Sequence, residues 1–142
     1  MRYIRVKKIM IIIIPVAILF FTIMAFLAFY SIPLVKANSL LISANKTDII
    51  NELEDDTFIS RENYGKLRIV DKTVSDDEYV QLKTKKNYRF IDLKSIDIIC
   101  SIRAEVNSFD EIVSPYCCTG KLRISFSFTD GEWVVSDVEK IN

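Results

Sequence analysis

The first thirty residues and the remainder of the chain follow different hydrophobic patterns. Residues 9–30 read IMIIIIPVAILFFTIMAFLAFY, 22 positions without a charge. As a helix at 1.5 Å per residue this run extends about 33 Å, enough to cross a hydrocarbon core of about 30 Å. Lipid offers no partners to free backbone groups, so a helix is the form such a run must take there. Each Ile, Leu or Phe at the centre favours insertion by roughly 0.3–0.6 kcal/mol, which outweighs Thr22 and Pro15.

Beyond residue 46 the apolar positions switch to short periods. Thr47 as N-cap, Asp48 in the first turn, and Ile49, Ile50 and Leu53 on one face predict a helix ending by Asp56. Ser60-Arg61-Glu62-Asn63 reads as a turn punctuated by Gly65, and residues 66–70 as a short strand. Residues 75–86 support two readings. Ser75 followed by Glu78 is a capping-box spacing and favours a helix. The alternation of Val80, Leu82 and Thr84 with polar neighbours suits a strand, with Lys85-Lys86-Asn87 turning into a second strand over 88–93. The helix is the preferred reading.

The last third alternates strictly. Ile96, Ile98, Cys100, Ile102, Ala104 and Val106 share one parity, and Leu122, Ile124, Phe126 and Phe128 do the same, the mark of strands with one face on a core. Asp130-Gly131 then supplies the positive φ angles of a tight hairpin. Trp133, Val135 and Val138 belong to the returning strand, and the slip in their alternation predicts a bulge. Helices early and strands late make the expected class α+β: a transmembrane helix, then a curved antiparallel sheet packed on one or more helices.

Charge adds a direction. Arg2, Arg5, Lys7 and Lys8 precede the apolar run, with only Lys36 close behind it, which places the N-terminus in the cytoplasm and the rest outside. The expected division is a basic tail over 1–8, a transmembrane helix over 9–30, a connector over 31–46 and an extracytoplasmic domain over 47–142. The alternative is a signal peptide cleaved after Ala37, which would release a secreted domain. The run is longer than the usual 7–15 residues of a signal sequence, so an uncleaved anchor is favoured. All 19 acidic residues lie at Asp48 or later, against 15 basic residues after the apolar run. A mildly acidic domain argues against a nucleic-acid partner. The expected partners are the lipid bilayer and other membrane proteins.

The chemistry is bounded by what is missing. The chain has no histidine, hence no imidazole base and no Ser-His-Asp or Cys-His site. Three glycines leave no phosphate loop. Glu54-Asp55-Asp56 and Asp76-Asp77-Glu78 lack a calcium-loop pattern; no metal and no cofactor are expected. Asp92 and Asp97 read as exposed strand ends, with a buried proton acceptor as the sharper alternative. Cys100 and Cys118 would approach each other if the chain reversed around residues 108–111, permitting a cross-strand disulfide subject to Cα spacing; a buried, reduced Cys100 is the other reading. Cys117-Cys118 lacks the spacer of dithiol redox motifs. Asn45-Lys46-Thr47 matches a glycosylation sequon. Phe126, Phe128 and Trp133 are candidates to line a ligand pocket, or are core.

Residues 96–142, closing on Asp130-Gly131-Glu132-Trp133-Val134-Val135-Ser136-Asp137-Val138, resemble the end of NTF2-like (cystatin-like α+β) domains, including small bacterial extracytoplasmic proteins. The resemblance implies a sheet wrapped around a helix, whose hollow binds a small molecule, hosts catalysis, or only packs. Membrane-anchored members include assembly components of conjugation and secretion machinery. The expectation is therefore a membrane-tethered, non-enzymatic interaction or assembly module. A binding protein for a small apolar ligand is the alternative, and an enzyme using a buried carboxylate a third reading.

Overall fold

In a computed structural model, which describes residues 2–46 and 59–142, the chain is α+β: a long apolar N-terminal helix, then a short helix and a four-stranded antiparallel sheet. It divides into two compact units, Met1–Ile32 and Pro33–Asn142. The helix expected over 47–56 lies outside the described residues.

Helix α1 (Arg2–Lys46) supplies all of the first unit's described structure. It is long and apolar enough to cross a membrane, consistent with an anchor or a signal sequence. The Thr22 hydroxyl inside the apolar run is satisfied within the helix, Oγ1 donating to the Ile18 carbonyl at 2.8 Å, so this group presents no unpaired donor to an apolar surrounding.

The expected connector over 31–46 is helical: α1 does not stop at residue 30 but continues to Lys46. Pro33 cannot donate to the residue 29 carbonyl, and it is the residue at which the second unit begins. From there Pro33, Ala37, Leu40, Leu41 and Ala44 are buried while Val35, Asn38, Ser39, Ile42 and Ser43 are exposed. That spacing is one face of an amphipathic helix.

The sheet is a meander, β1 (Glu78–Asp92), β2 (Ser95–Ser108), β3 (Tyr116–Thr129) and β4 (Glu132–Lys140), in the spatial order β1-β2-β3-β4. The period-two reading of β2 and β3 holds. Ile96, Ile98, Cys100, Leu122 and Ile124 are fully buried, and Phe126, Trp133, Val135 and Val138 join them on the inner face. Asp130 (φ 53°) and Gly131 (φ 81°) form the hairpin turn. The β4 bulge falls at Ser136: Ser125 pairs with Asp137 and Phe126 with Val135, and Ser136 Oγ donates to the Ser125 carbonyl at 3.1 Å. The amphipathic stretch of α1 is tied to both sheet edges. Lys36 Nζ donates to the Trp133 carbonyl at 2.7 Å, and Lys86 Nζ to Asn38 Oδ1.

The first half of the domain departs from expectation in three places. Residues 75–86 are not a helix; β1 begins at Glu78 and runs on through Lys85-Lys86-Asn87 without turning. One bond of the capping box still forms, Ser75 N to Glu78 Oε2 at 3.2 Å, but Glu78 N returns to Ser75 O at 3.0 Å and closes a single turn. Fourteen residues of pairing with β2 then outweigh the local signal. Ser60 caps a helix rather than a turn: it accepts from Asn63 N at 3.3 Å and opens α2 (Arg61–Lys66). Residues 67–70 form no strand: Leu67 is the C-cap of α2 in the right-handed region (φ −72°, ψ −15°), and its N–H stays bonded to the Tyr64 carbonyl at 3.1 Å.

Candidate functional site

Phe126, Phe128 and Trp133 are the candidates to line a pocket, with core as the other reading. The three do come together. Phe128 meets Trp133 edge-on with ring centroids 5.5 Å apart, and Phe126 pairs across β4 with Val135. They meet as core: Phe126 and Trp133 are each 1% exposed, and the inner-face residues of β2, β3 and α1 are buried around them. Among the described residues, open depressions mark the surface of the domain. One, of about 490 Å³, is lined by Lys83, Lys85, Ser101, Arg103 and Thr119; another, of about 380 Å³, by Arg68, Asp71, Lys72, Thr73 and Lys140. The three aromatic side chains line neither.

The proposed Cys100–Cys118 disulfide is absent, and all three cysteines are free. The chain reverses through a loop over 109–115, later than expected, so Cys100 lies opposite Leu122 and Cys118 opposite Ala104. Four residues of offset are about 14 Å along a strand, twice the roughly 7 Å limit for bridging two Cα atoms. Cys117 and Cys118 are neighbours on opposite faces of β3. Arg103 Nη2 approaches Cys117 Sγ at 3.9 Å, while Cys118 Sγ donates to Asp71 Oδ1 at 3.5 Å on the other side. Burial pushes the Cys100 thiol up to about 11, and burial also raises that of Cys118. Both stay protonated near neutrality, the opposite of an activated thiolate.

One polar constellation was not legible in the sequence. Asp71, from the segment after α2, accepts a hydrogen bond from Tyr116 Oη at 2.6 Å and the contact from Cys118. The Tyr116 hydrogen bond is the larger reason that the Asp71 carboxyl sits below its usual range. The same bond, with lesser burial, pushes the Tyr116 phenol up to about 12. Lys72 Nζ lies 5.6 Å from the centre of the Tyr116 ring and bonds Glu78 Oε1 at 2.7 Å; the Lys72 bond is the main cause holding Glu78 below its usual value. These residues come from three separate stretches of chain, so no spacing within one stretch announces them.

No described carboxylate is buried. Asp92 is exposed and accepts the Lys94 N–H at 2.7 Å in the turn; Asp97 is half-buried, its parity on the outer face. Asp76-Asp77-Glu78 is the turn into β1, and Glu54-Asp55-Asp56 lies outside the described residues. Among the described residues no group of three His, Cys, Asp or Glu side chains could hold a metal. Among the described residues the buried polar side chains are Asn45 and Asn63.

Fold and surface thus define a class: an α+β domain with a filled inner face, carried on a helix long and apolar enough to contact a lipid bilayer. No protein-family model, no curated protein and no solved structure matches the chain.

Proposed function

We propose that this protein is a non-enzymatic, single-pass membrane protein whose outer domain serves as an interaction or assembly module. The observation that carries this reading is the filled inner face. Ile96, Ile98, Cys100, Leu122 and Ile124 are fully buried and Phe126 and Trp133 nearly so, where a protein binding a small apolar ligand needs a hollow of hundreds of Å³ lined by such side chains. A carboxylate enzyme needs an acid in a dry site with a raised pKa; the described carboxylates with a resolved shift, Asp71 and Glu78, move down. What remains to act is surface. In the NTF2-like reading, the sheet is a scaffold and its hollow is packing.

Retention of the anchor is favoured by Ala37. It is fully buried on the amphipathic stretch of α1, and a chain beginning at Asn38 would lose Pro33 from the core and the Lys36 bond to Trp133. The basic tail before the apolar run favours a cytoplasmic N-terminus. A tether of this kind raises the effective concentration of the domain near membrane partners.

Crosslinking in the native membrane, followed by mass spectrometry of the captured species, tests the module reading. Capture of defined membrane-protein partners is expected. Recovery of the chain alone, together with a tightly bound small molecule after native purification, would replace it with the ligand-binding reading.

A further inference from the structure

The domain exposes apolar side chains at the β1–β2 hairpin. Phe90, Ile91 and Leu93 are 58%, 52% and 76% exposed. In a regular strand, alternation would send Phe90 and Ile91 to opposite faces. A bulge interrupts that pattern: Phe90 pairs with Ile96 and Asp92 with Ser95, leaving Ile91 as the extra residue. Leu93 and Lys94 then form the two-residue turn. The result is three large exposed apolar groups within four residues, flanked by Arg89 and Lys94.

Hydrogen bonds place this tip at a particular end of the domain. The Lys94 carbonyl accepts the Phe128 N–H at 2.8 Å. Phe128 pairs with Trp133, and the Trp133 carbonyl holds Lys36 Nζ. Leu93 therefore stands level with Lys36, at the end where the chain comes into the domain. The uncharged run ends at Tyr30, and six residues reach no further than about 20 Å. The distal loop lies at the far end of β2, whose 14 residues extend about 45 Å; there Ile112 is 91% exposed.

We propose that the β1–β2 tip is a membrane-docking element: Phe90, Ile91 and Leu93 seat in the interfacial layer of the bilayer that the N-terminal helix crosses, with Arg89 and Lys94 beside the headgroup phosphates. Side chains of this type partition to that depth, and basic neighbours add attraction to anionic lipid. The tether length and the end of the domain at which the tip lies select lipid over other occupants. The inference rests on the anchored reading above.

The test uses the full chain reconstituted into vesicles of phosphatidylcholine and phosphatidylglycerol, with an environment-sensitive fluorescent amino acid replacing Leu93 or, as the control, Ile112. Flotation of the vesicles first checks the anchor. With lipid brominated along its acyl chains, the probe at 93 is expected to lose roughly half its emission, as befits a group about 5–10 Å into the headgroup boundary, and the probe at 112 to be unchanged. Flotation with no quenching at 93 overturns the docking proposal and leaves the anchor standing. A probe at 93 shielded from aqueous iodide but unquenched by brominated lipid also overturns it, in favour of a protein occupant such as a second copy. Failure of the chain to float removes the anchor itself, and the docking with it.

Discussion

Asn45, in the last turn of α1, accepts the backbone N–H of Ile69 at 2.7 Å, twenty-four residues further along the chain. The same oxygen accepts Val70 N at 3.1 Å, and its amide nitrogen donates to the carbonyls of Leu41 and Leu67 at 2.8 and 3.1 Å. One buried side chain thus takes the backbone groups that a neighbouring strand would otherwise take. The segment after α2 is thereby satisfied without a place in the sheet.

Replacing Asn45 by Ala leaves two N–H groups and a carbonyl without their partner in a buried setting. Each buried orphan costs about 1–3 kcal/mol, and partial access of water to Ile69 moderates the sum. Asn45→Ala should destabilise the domain by about 2–4 kcal/mol. Urea unfolding followed by the emission of Trp133, the only tryptophan, measures it in the full chain in micelles. A change below about 0.5 kcal/mol, the usual span of surface substitutions, would refute the clamp.

Gly120 lies under Ile69, on the same segment that Asn45 holds. A Cβ there would meet Ile69 Cδ1 at 2.5 Å and Cγ2 at 3.4 Å. The nearest atom is the end of a flexible side chain, so Gly120→Ala should cost only about 1–2 kcal/mol, the lower part of the range for overpacking. Ile69→Ala in the same chain removes the clash, so the double variant should lose less than the sum of the two singles. Strict additivity in the urea midpoints would show that the two residues do not meet.

The Asp71–Tyr116 bond has a pH signature with two signs. Asp71 is lowered in the folded state, so its contribution is present above the ordinary carboxyl value and is lost as pH falls through the folded value. Tyr116 is raised to about 12, so its contribution is present below the ordinary phenol value of 10.0 and is lost as pH rises toward 12. Tyr116→Phe removes the donor without removing the ring. Carboxyl resonances followed through an acid titration should show the Asp71 midpoint rising toward 3.8 in the variant. An unchanged midpoint would mean that the hydrogen bond does not form in solution.

The cysteines should separate by reactivity. Exposed Cys117 alkylates first at neutral pH; Cys118 follows, slowed by its protonated thiol and partial burial. Cys100, fully buried with its thiol pushed up to about 11, reacts only on unfolding. Intact mass after timed alkylation should show one rapid addition, then a second, with the third appearing in denaturant. The unalkylated mass should be the same with and without reductant; a gain of two hydrogens on reduction would reinstate a disulfide.

Some of this architecture could be read directly from residue order. The apolar run sets its own form, because its length and lack of charge suit lipid before any tertiary contact exists. The strands β2 and β3, the Asp130–Gly131 turn and the bulge at Ser136 were also legible, because period two and positive φ are local demands. Other features required the folded chain. The stretch after Pro33 shows its helical face only once a sheet exists to bury Ala37, Leu40 and Leu41. The helix signal at Ser75 gives way to β1 because pairing with β2 is collective. The register that separates Cys100 from Cys118 depends on the length of the 109–115 loop, which alternation within each strand does not set. The Asp71–Tyr116–Cys118 cluster and the Asn45 clamp join residues distant in the chain. Local preference acts over a few neighbours, whereas register, burial and long-range hydrogen bonds are decided by what the rest of the chain brings alongside.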